Sequence, residues 1–599
     1  MAGLLVYLSK NKEVDEKKFE GALVQQQFRG PDFSEIRRIN SSISFGANFI
    51  HGQRIGNFGD NSAVYDGEIY NHKELLDYLV SKYSIKLNEH VPDILACGLT
   101  LEGINFLPKI NGEFALCFFD SKKQNLLVAR DLVGVKSPYL YIGKDSVVVS
   151  SDIGSISHYS KLTLRKEYLY RMAFLDQFTG FDNSETVFEE IKTPEIGGYL
   201  VVSIENSDIK SGRYEKLNFE DKVLDVDEAE RNFKPLIEKV FELETNSNEK
   251  MGIFLSGGID STAIITLATE HILKHQKRIP VFTYFFTEKG EDKDYIFSQK
   301  VLDYLKNKFG DVFDVCAINL DPRITEDDFW RTLQARQSPI LDVREIMYVN
   351  LYQEAKKYGV KIVFNGMGSD EIYYGYYPLD YWMSIFYRQG NFNAGEVLNY
   401  YKNKLNQLKM GVYNDSFREK AESYCKSWLD NKFSKMPEIS EQPKKVTWFL
   451  TETINPALLL REEKGGSYSG IEVRFPLVNP ILAKFACLSD YKIHITSTNS
   501  GRHLVRKSLE GKLDNELIYR EKNSGPKKRY YWDELQSIYD NNRMEIVNSR
   551  LLNQIYKTEF LQDPNIIRGK ADYVIYGNEN DIFLEMLGWF FFSKKFEIS

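Results

Sequence analysis

Met251-Gly252-Ile253-Phe254-Leu255-Ser256-Gly257-Gly258-Ile259-Asp260-Ser261-Thr262 runs from an apolar stretch through a glycine pair into a polar helix start, and apolar residues 263–268 follow. The order predicts strand, tight turn and helix. The first N–H groups of a helix lack intrahelical partners, and the helix dipole favours negative charge there. Such a junction suits a polyphosphate. Gly257 and Gly258 let the backbone turn sharply and approach the anion, and Ser256, Ser261 and Thr262 add hydroxyl donors. A carboxylate beside phosphate needs a divalent cation between them, which reads Asp260 as a Mg2+ ligand. An ordinary corner capped by serine also uses Ser-Gly-Gly. The full S-G-G-x-D-S-T after a buried strand argues against that reading. The spacing G-x-x-x-x-G-K-S/T of the Walker A loop does not occur here.

Outward from the loop, the pattern alternates: helix 227–243, strand 251–255, the helix after the glycines, strand 281–286, helix 294–308, strand 312–319, helix 345–358 and strand 360–365. Alternation at this spacing predicts a parallel, doubly wound α/β sheet. Ligands bind such sheets at strand carboxyl ends. A second turn, Asn365-Gly366-Met367-Gly368-Ser369-Asp370-Glu371, closes the last clear strand and can face the same site. Alone, Asp370 reads as a helix cap; beside the first loop it reads as a second Mg2+ ligand. Everything after 366 reads as mostly helical. Upstream, 1 to about 205 reads as strands (3–8, 44–50, 63–65, 115–119, 126–129, 146–150) with helices near 72–81 and 92–101. A polar stretch, 210–225, reads as a linker. The expected domains are 1–210 and 225–599.

Bulk properties narrow the function classes. The balance of 77 Lys and Arg against 85 Asp and Glu gives a net charge of −8, so nucleic acid is not an expected partner. Five scattered cysteines without a C-x-x-C fit reduced thiols better than disulfides or zinc. The apolar start is short and lacks a basic flank, so it is not read as a signal peptide. No window reaches the length of a membrane span. A cytoplasmic enzyme is expected. The apolar segment 583–592 suits docking on the body of the protein or on a second copy, which leaves a homodimer open.

The Ser256–Thr262 segment resembles the pyrophosphate-binding loop of N-type ATP pyrophosphatases, which adenylate a substrate. Four further segments are similar to the asparagine synthetase family, including its β-lactam synthetase and lasso-peptide cyclase relatives. They are Tyr284 in Val281-Phe282-Thr283-Tyr284-Phe285-Phe286, Gly470-Ile471-Glu472-Val473-Arg474-Phe475-Pro476-Leu477, Gly501-Arg502-His503-Leu504-Val505-Arg506 and Arg520-Glu521-Lys522-Asn523. The resemblance implies an adenine-nucleotide α-hydrolase-like α/β domain with a helical carboxyl-terminal part. It implies that Leu255, Ser256, Gly257, Gly258, Asp260, Ser261, Thr262, Tyr284, Gly366, Met367, Gly368 and Ser369 bind ATP, and that Asp260 and Asp370 hold Mg2+. Lys522 matches the lysine that neutralises the adenylate or the departing phosphates, a fixed charge worth about 3 kcal/mol. Met367 stands where asparagine synthetases carry an acid and β-lactam synthetase a tyrosine, and methionine takes no proton. Glu463, in Arg461-Glu462-Glu463-Lys464, lies near the family position of a catalytic or supporting acid; a solvated charge in a charged run is the equal alternative. Glu371 and Tyr373, Tyr374, Tyr376 and Tyr377 are further candidates for the proton acceptor.

The first half resembles the glutamine-hydrolysing domain of class II amidotransferases, an Ntn-type αββα sandwich. The segments are Arg29-Gly30-Pro31-Asp32, Asp66-Gly67-Glu68-Ile69-Tyr70-Asn71, Asn111-Gly112-Glu113-Phe114-Ala115 and Arg130-Asp131 through Lys136. The family's nucleophilic cysteine falls on Ala2, its oxyanion-hole asparagine on Asp66, and its acid for the glutamine α-amine on Val91. Arg54 matches the arginine that grips the glutamine carboxylate. A methyl group cannot attack an amide, and a carboxylate repels an oxyanion. A degenerate glutaminase is therefore expected. The resemblance as a whole implies an ATP- and Mg2+-dependent ligase that joins a small-molecule or peptide carboxylate to an amine or ammonia. Two alternatives stand beside it: a glutamine-hydrolysing asparagine synthetase inactivated at position 2, and a catalytically silent scaffold.

Overall fold

The computed structural model describes residues 2–10, 13–52, 54–206, 208–220, 224–285, 291–320, 323–376, 386–387, 391–404, 407–495, 501–520, 531–568 and 579–598. The first half is built on twelve strands: β1 (Ala2–Ser9), β2 (Phe33–Asn40), β3 (Ile43–Phe49), β4 (Ile55–Phe58), β5 (Asn61–Ile69), β6 (Gly112–Asp120), β7 (Asn125–Arg130), β8 (Tyr139–Ile142), β9 (Ser146–Ser150), β10 (Ile191–Lys192), β11 (Gly198–Ser203) and β12 (Ile209–Arg213). They form two six-stranded sheets, ordered β10-β8-β9-β1-β3-β2 and β12-β11-β7-β6-β5-β4. Alternate residues along each strand build the layer between them: Leu4, Val6 and Leu8 of β1 meet Val64, Cys117 and Val128 from the other sheet. On the outer face of the second sheet, Ala63, Tyr65 and Leu116 pack under the helices His72–Tyr83 and Val91–Glu102. On the outer face of the first, Leu5 and Val148 join Phe19 and Leu23 of the helix Glu16–Gln25. The result is the αββα sandwich.

Strand β2 and the helices Glu16–Gln25 and Lys166–Phe174 are additions to the expected elements. β2 alternates exposed and half-buried positions on a sheet edge, so its apolar signal is weak. The polar stretch expected as linker begins as β12.

The second half has one five-stranded parallel sheet, β13 (Met251–Leu255), β14 (Ile279–Phe285), β15 (Phe313–Asn319), β16 (Ile362–Phe364) and β17 (Glu472–Arg474), in the order β15-β14-β13-β16-β17. All five β13 residues are buried, as expected for a central strand covered on both faces. The chain winds outward from β13 through β14 to β15, then returns to β13's other side as β16. The turns after β13 and β16 therefore open at the point where winding reverses. After 366 the chain is mostly helical, as expected, and β17, only three residues long, is the strand that the expectation did not include.

The two halves interlock. The helix Lys166–Phe174 packs on Asp415–Ser434 through Tyr170, Phe417 and Tyr424. The apolar helix Glu579–Lys595 docks on the body of its own chain: Phe583 against Trp532, Phe591 against Phe329 and Trp330, and Phe592 against Phe188 of the first half. Among the described residues no helix is long and apolar enough to cross a membrane, and all five cysteines are free.

Candidate active site

The chain leaves β13 through Ser256, Gly257 and Gly258 and enters the helix Ile259–Ile272. Gly257 has φ +85°, and a Cβ there would lie 2.0 Å from the Asp294 carbonyl oxygen, so both conformation and space demand glycine. Gly258 caps the helix with no side-chain hydrogen bond, which leaves the first-turn amides for another acceptor. The Ser256 and Ser261 hydroxyls lie 3.0 Å apart across the turn. Arg520 fixes the loop from outside: its guanidinium donates to the Gly257 carbonyl, pairs with Asp294 at 3.0 Å and lies 4.0 Å from the Phe297 ring centroid. Lys522, two residues further on, lies outside the described residues, as does Tyr377.

The second turn touches the first. A Cβ on Gly366 would approach the Asp260 Cβ to 3.0 Å, and Gly368 has φ +91° with Asn455 Oδ1 2.6 Å from its absent Cβ. Asn365 organises this turn. Its Oδ1 accepts from the Met367 amide at 3.0 Å, and its Nδ2 donates to Tyr352 Oη (3.1 Å) and Glu462 Oε2 (3.2 Å). Met367 itself is half-buried in the turn.

Asp260 and Asp370 are brought together by Arg502, whose Nη1 lies 3.1 Å from Asp260 Oδ2 and Nη2 2.6 Å from Asp370 Oδ1. Burial works against that guanidinium's charge, but the two carboxylates outweigh it and hold Arg502 above its ordinary range. Its backbone is left-handed (φ 72°), as is that of Tyr374 (φ 56°), and Arg502 N donates to Tyr373 O at 2.7 Å. Non-glycine residues sit in this region at a cost of about 1–3 kcal/mol each and cluster at functional sites. Tyr284, half-buried on β14, has its phenol pushed well above the ordinary range by burial.

Two buried hydroxyls, Thr262 Oγ1 and Ser369 Oγ, find no hydrogen-bond partner among the described residues. A helix amino end, orphaned hydroxyls and glycine-lined space fit a phosphate chain, and Asp260 with Asp370 fits a hard divalent cation. The described residues also include one three-residue group able to share an ion, His51, Glu68 and Glu472, with ligand atoms within 4.8 Å. It lies where the two halves meet, and Arg54 and Arg474, 3.8 and 3.7 Å from Glu68 Oε2, already balance its carboxylates.

Glu463 is not brought to the glycine turns. Arg461, Glu462, Glu463 and Lys464 on the helix Ile454–Tyr468 are 3, 0, 1 and 3 % exposed, so the solvated reading of this run is wrong. Successive helix residues point about 100° apart, and the two glutamates part company. Glu462 turns toward Asn365, its carboxyl pushed up by burial against the pull of Arg461. Glu463 turns toward the first half, where Arg29 Nη2 (2.6 Å), Lys136 Nζ (3.0 Å) and Ser467 Oγ (2.5 Å) donate to its Oε1. Burial opposes its ionisation, yet Arg29 and Lys136 hold it well below the carboxylate range.

Asp66 belongs to the same cluster. It accepts from the Ala2 amide (2.9 Å), Arg29 Nη2 (2.9 Å) and Ser151 Oγ (2.8 Å). Its carboxyl too is lowered, Arg29 and Lys136 outweighing burial. Lys136 is aimed by the preceding turn: Asp131 accepts from the amides of Val133, Gly134, Val135 and Lys136, and Arg130 donates to the Lys136 carbonyl. Val91 heads the helix Val91–Glu102, half-buried against the outer apolar layer. Arg29, Lys136, Glu462, Asn365, Arg502 and Arg520 were the residues sequence reasoning missed. All six stand inside segments already quoted, where they read as fold markers and not as members of one network.

The family model for asparagine synthase matches residues 232–567, and that for the glutamine amidotransferase domain matches residues 1–215. The chain is 25% identical over 334 residues to amidase chyE of Penicillium rubens, covering 53% of this chain and 48% of that protein. To amidase chry2 of Gibberella zeae it is 24% identical over 333 residues, covering 53% and 48%. To the glutamine-hydrolyzing asparagine synthetase 3 of Bacillus subtilis it is 23% identical over 490 residues, covering 78% and 75%. The match spans about half the length of the two curated amidases.

Proposed function

The chain belongs to the asparagine synthase family, and from that premise we propose that it is an ATP-dependent, AMP-forming ligase that makes an amide bond without hydrolysing glutamine. The observation that carries this reading is the meeting of the two glycine turns, with the orphaned hydroxyls of Thr262 and Ser369 beside the paired carboxylates Asp260 and Asp370. The phosphates lie against the amino end of the helix Ile259–Ile272, held by its amides and by the Ser256 and Ser261 hydroxyls. Tyr284 borders the adenine. Mg2+, when bound by Asp260 and Asp370, offsets phosphate charge. A substrate carboxylate oxygen attacks the α-phosphorus, the bond to the bridging oxygen breaks, and pyrophosphate leaves with a negative charge whose neutralisation the family resemblance assigns to Lys522. An amine nitrogen then attacks the acyl carbon, and AMP departs as the amine gives up a proton. Met367 cannot take that proton, and Glu463 is committed to Arg29 and Lys136.

The loss of glutamine hydrolysis is supported by Asp66. The resemblance puts Asp66 at the family's oxyanion-hole position, and its carboxylate is taken up by the Ala2 amide, Arg29 and Ser151. The nitrogen is therefore supplied free, as an amine or as ammonia. A second reading, aspartate with free ammonia, is favoured by the breadth of the match to the Bacillus subtilis asparagine synthetase, 78% of this chain. ATP–pyrophosphate exchange against a panel of carboxylates tests both. Exchange dependent on some carboxylate is expected. Exchange with aspartate alone moves the conclusion to asparagine synthesis, and none with any acid overturns it.

A further inference from the structure

We propose that the first half, having lost its hydrolytic chemistry, serves as a positioning clamp for the nucleotide site, with Arg29 and Lys136 acting through Glu463. The idea rests on the ATP-site reading above and adds a task for the sandwich. Both cations are fully buried and both bond to one carboxylate oxygen on a helix of the other half. That helix, Ile454–Tyr468, is rigid over the one-residue step from Glu463 to Glu462. Glu462 receives Asn365 Nδ2 at 3.2 Å and Tyr352 Oη at 3.1 Å, and Asn365 in turn accepts the Met367 amide. The path therefore runs without a gap from the first-half cations, through two adjacent glutamates, to the backbone of the second glycine turn. Lys464 anchors the same helix turn to the first half, donating to the Ser151 carbonyl at 3.2 Å, and Ser151 also holds Asp66.

Charge balance explains why the pocket took this form. Arg29 and Lys136 are two buried cations, and Asp66 is the first-half carboxylate ion-paired with both. Glu463 adds a second carboxylate from across the interface. A neutral asparagine at position 66 would remove one of those two partners, so the residue that would oppose an oxyanion is also part of the clamp.

The test uses the charge-balanced double variant Lys136→Met/Glu463→Gln, which leaves Arg29 paired with Asp66. The control is Val64→Ala, which weakens the sandwich core and removes no hydrogen bond or charge of the cluster. Calorimetry of Mg·ATP binding and hydrogen exchange at the amides of 363–369 are measured on the full chain, with melting temperature alongside. The double variant is expected to bind Mg·ATP about tenfold more weakly and to exchange those amides faster. Val64→Ala is expected to change neither beyond what its melting temperature predicts. Unchanged exchange in the double variant, or equal loosening in Val64→Ala at matched stability, overturns the clamp. If the double variant does not fold, Lys136→Arg, which keeps the charge and displaces it, must give an intermediate loosening or the proposal falls. Wild type that fails to bind Mg·ATP rejects the nucleotide reading and leaves the exchange result to judge the clamp.

Discussion

The two candidate pockets of this chain differ in how their buried polar groups are satisfied. At the β13 turn the backbone keeps glycines that only a close ligand or neighbour requires, and hydroxyls that stay unmatched without one. At the head of β1 the opposite holds: Asp66 is saturated by Ala2, Arg29 and Ser151, and no polar group of that trio waits for a substrate. Unmatched buried hydroxyls cost stability unless a ligand meets them; the carboxylate of Asp66 is instead met by groups of the chain itself.

The sharpest way to break this contrast is at glycine. Gly257→Ala would place a methyl 2.0 Å from the Asp294 carbonyl and is expected to lower ATP–pyrophosphate exchange about a thousandfold. Gly59→Ala, at φ +61° with nothing within 4 Å, costs only about 1–2 kcal/mol of stability and leaves exchange intact. Similar losses from both would mean the β13 turn is ordinary scaffold. Next in size is Lys136→Met. It leaves the carboxylates of the closed pocket with one cation too few, and about 3–5 kcal/mol of stability should go, read as the shift in urea midpoint. A shift under 1 kcal/mol would show that the cluster is wet.

A smaller effect sits behind the nucleotide site. His494 is fully buried against the Tyr374 ring, 5.2 Å between centroids, and burial brings its pKa down to about 3. Its neutral form is favoured in the fold, so its stability contribution is complete above the unfolded value of 6.5 and declines as pH falls below it. At pH 5 wild type should have lost about 2 kcal/mol that His494→Asn does not lose. Equal pH slopes for the two proteins would refute the assignment. The smallest expected change is none: Ala2→Cys should release no glutamate from glutamine, because Asp66 remains beside it. Measurable glutaminase activity would reopen the first pocket.

How legible each region was follows from the range of its interactions. Both glycine turns could be read locally, because a strand end, a φ demand and a helix start are contiguous in sequence. The doubly wound sheet followed from the same alternation, except for β17, whose three residues carry no period of their own. The charge cluster could not be read. Arg29 and Glu463 are 434 positions apart, and a run such as Arg461-Glu462-Glu463-Lys464 looks solvated until its partners are known. Glu463 was singled out correctly as unusual but sent to the wrong neighbours, since one step along a helix separates the face toward Asn365 from the face toward the sandwich. Arg502 stood inside a recognised motif, yet nothing local indicated that it would bridge two aspartates from different turns.

The shared carboxylate of Glu463 also bears on the order in which the chain matures. During synthesis the sandwich emerges first, and until the ribosome has passed position 463 its interior holds Arg29 and Lys136 without the carboxylate they share on the other half. The early half is therefore born lacking one partner of its buried cations, and its final closure waits for a helix made more than three hundred residues after Lys136. An amino-terminal fragment cut at the end of β12 would lack that partner permanently. The helix that completes the nucleotide site is thus also the last counter-ion of the domain that was translated before it.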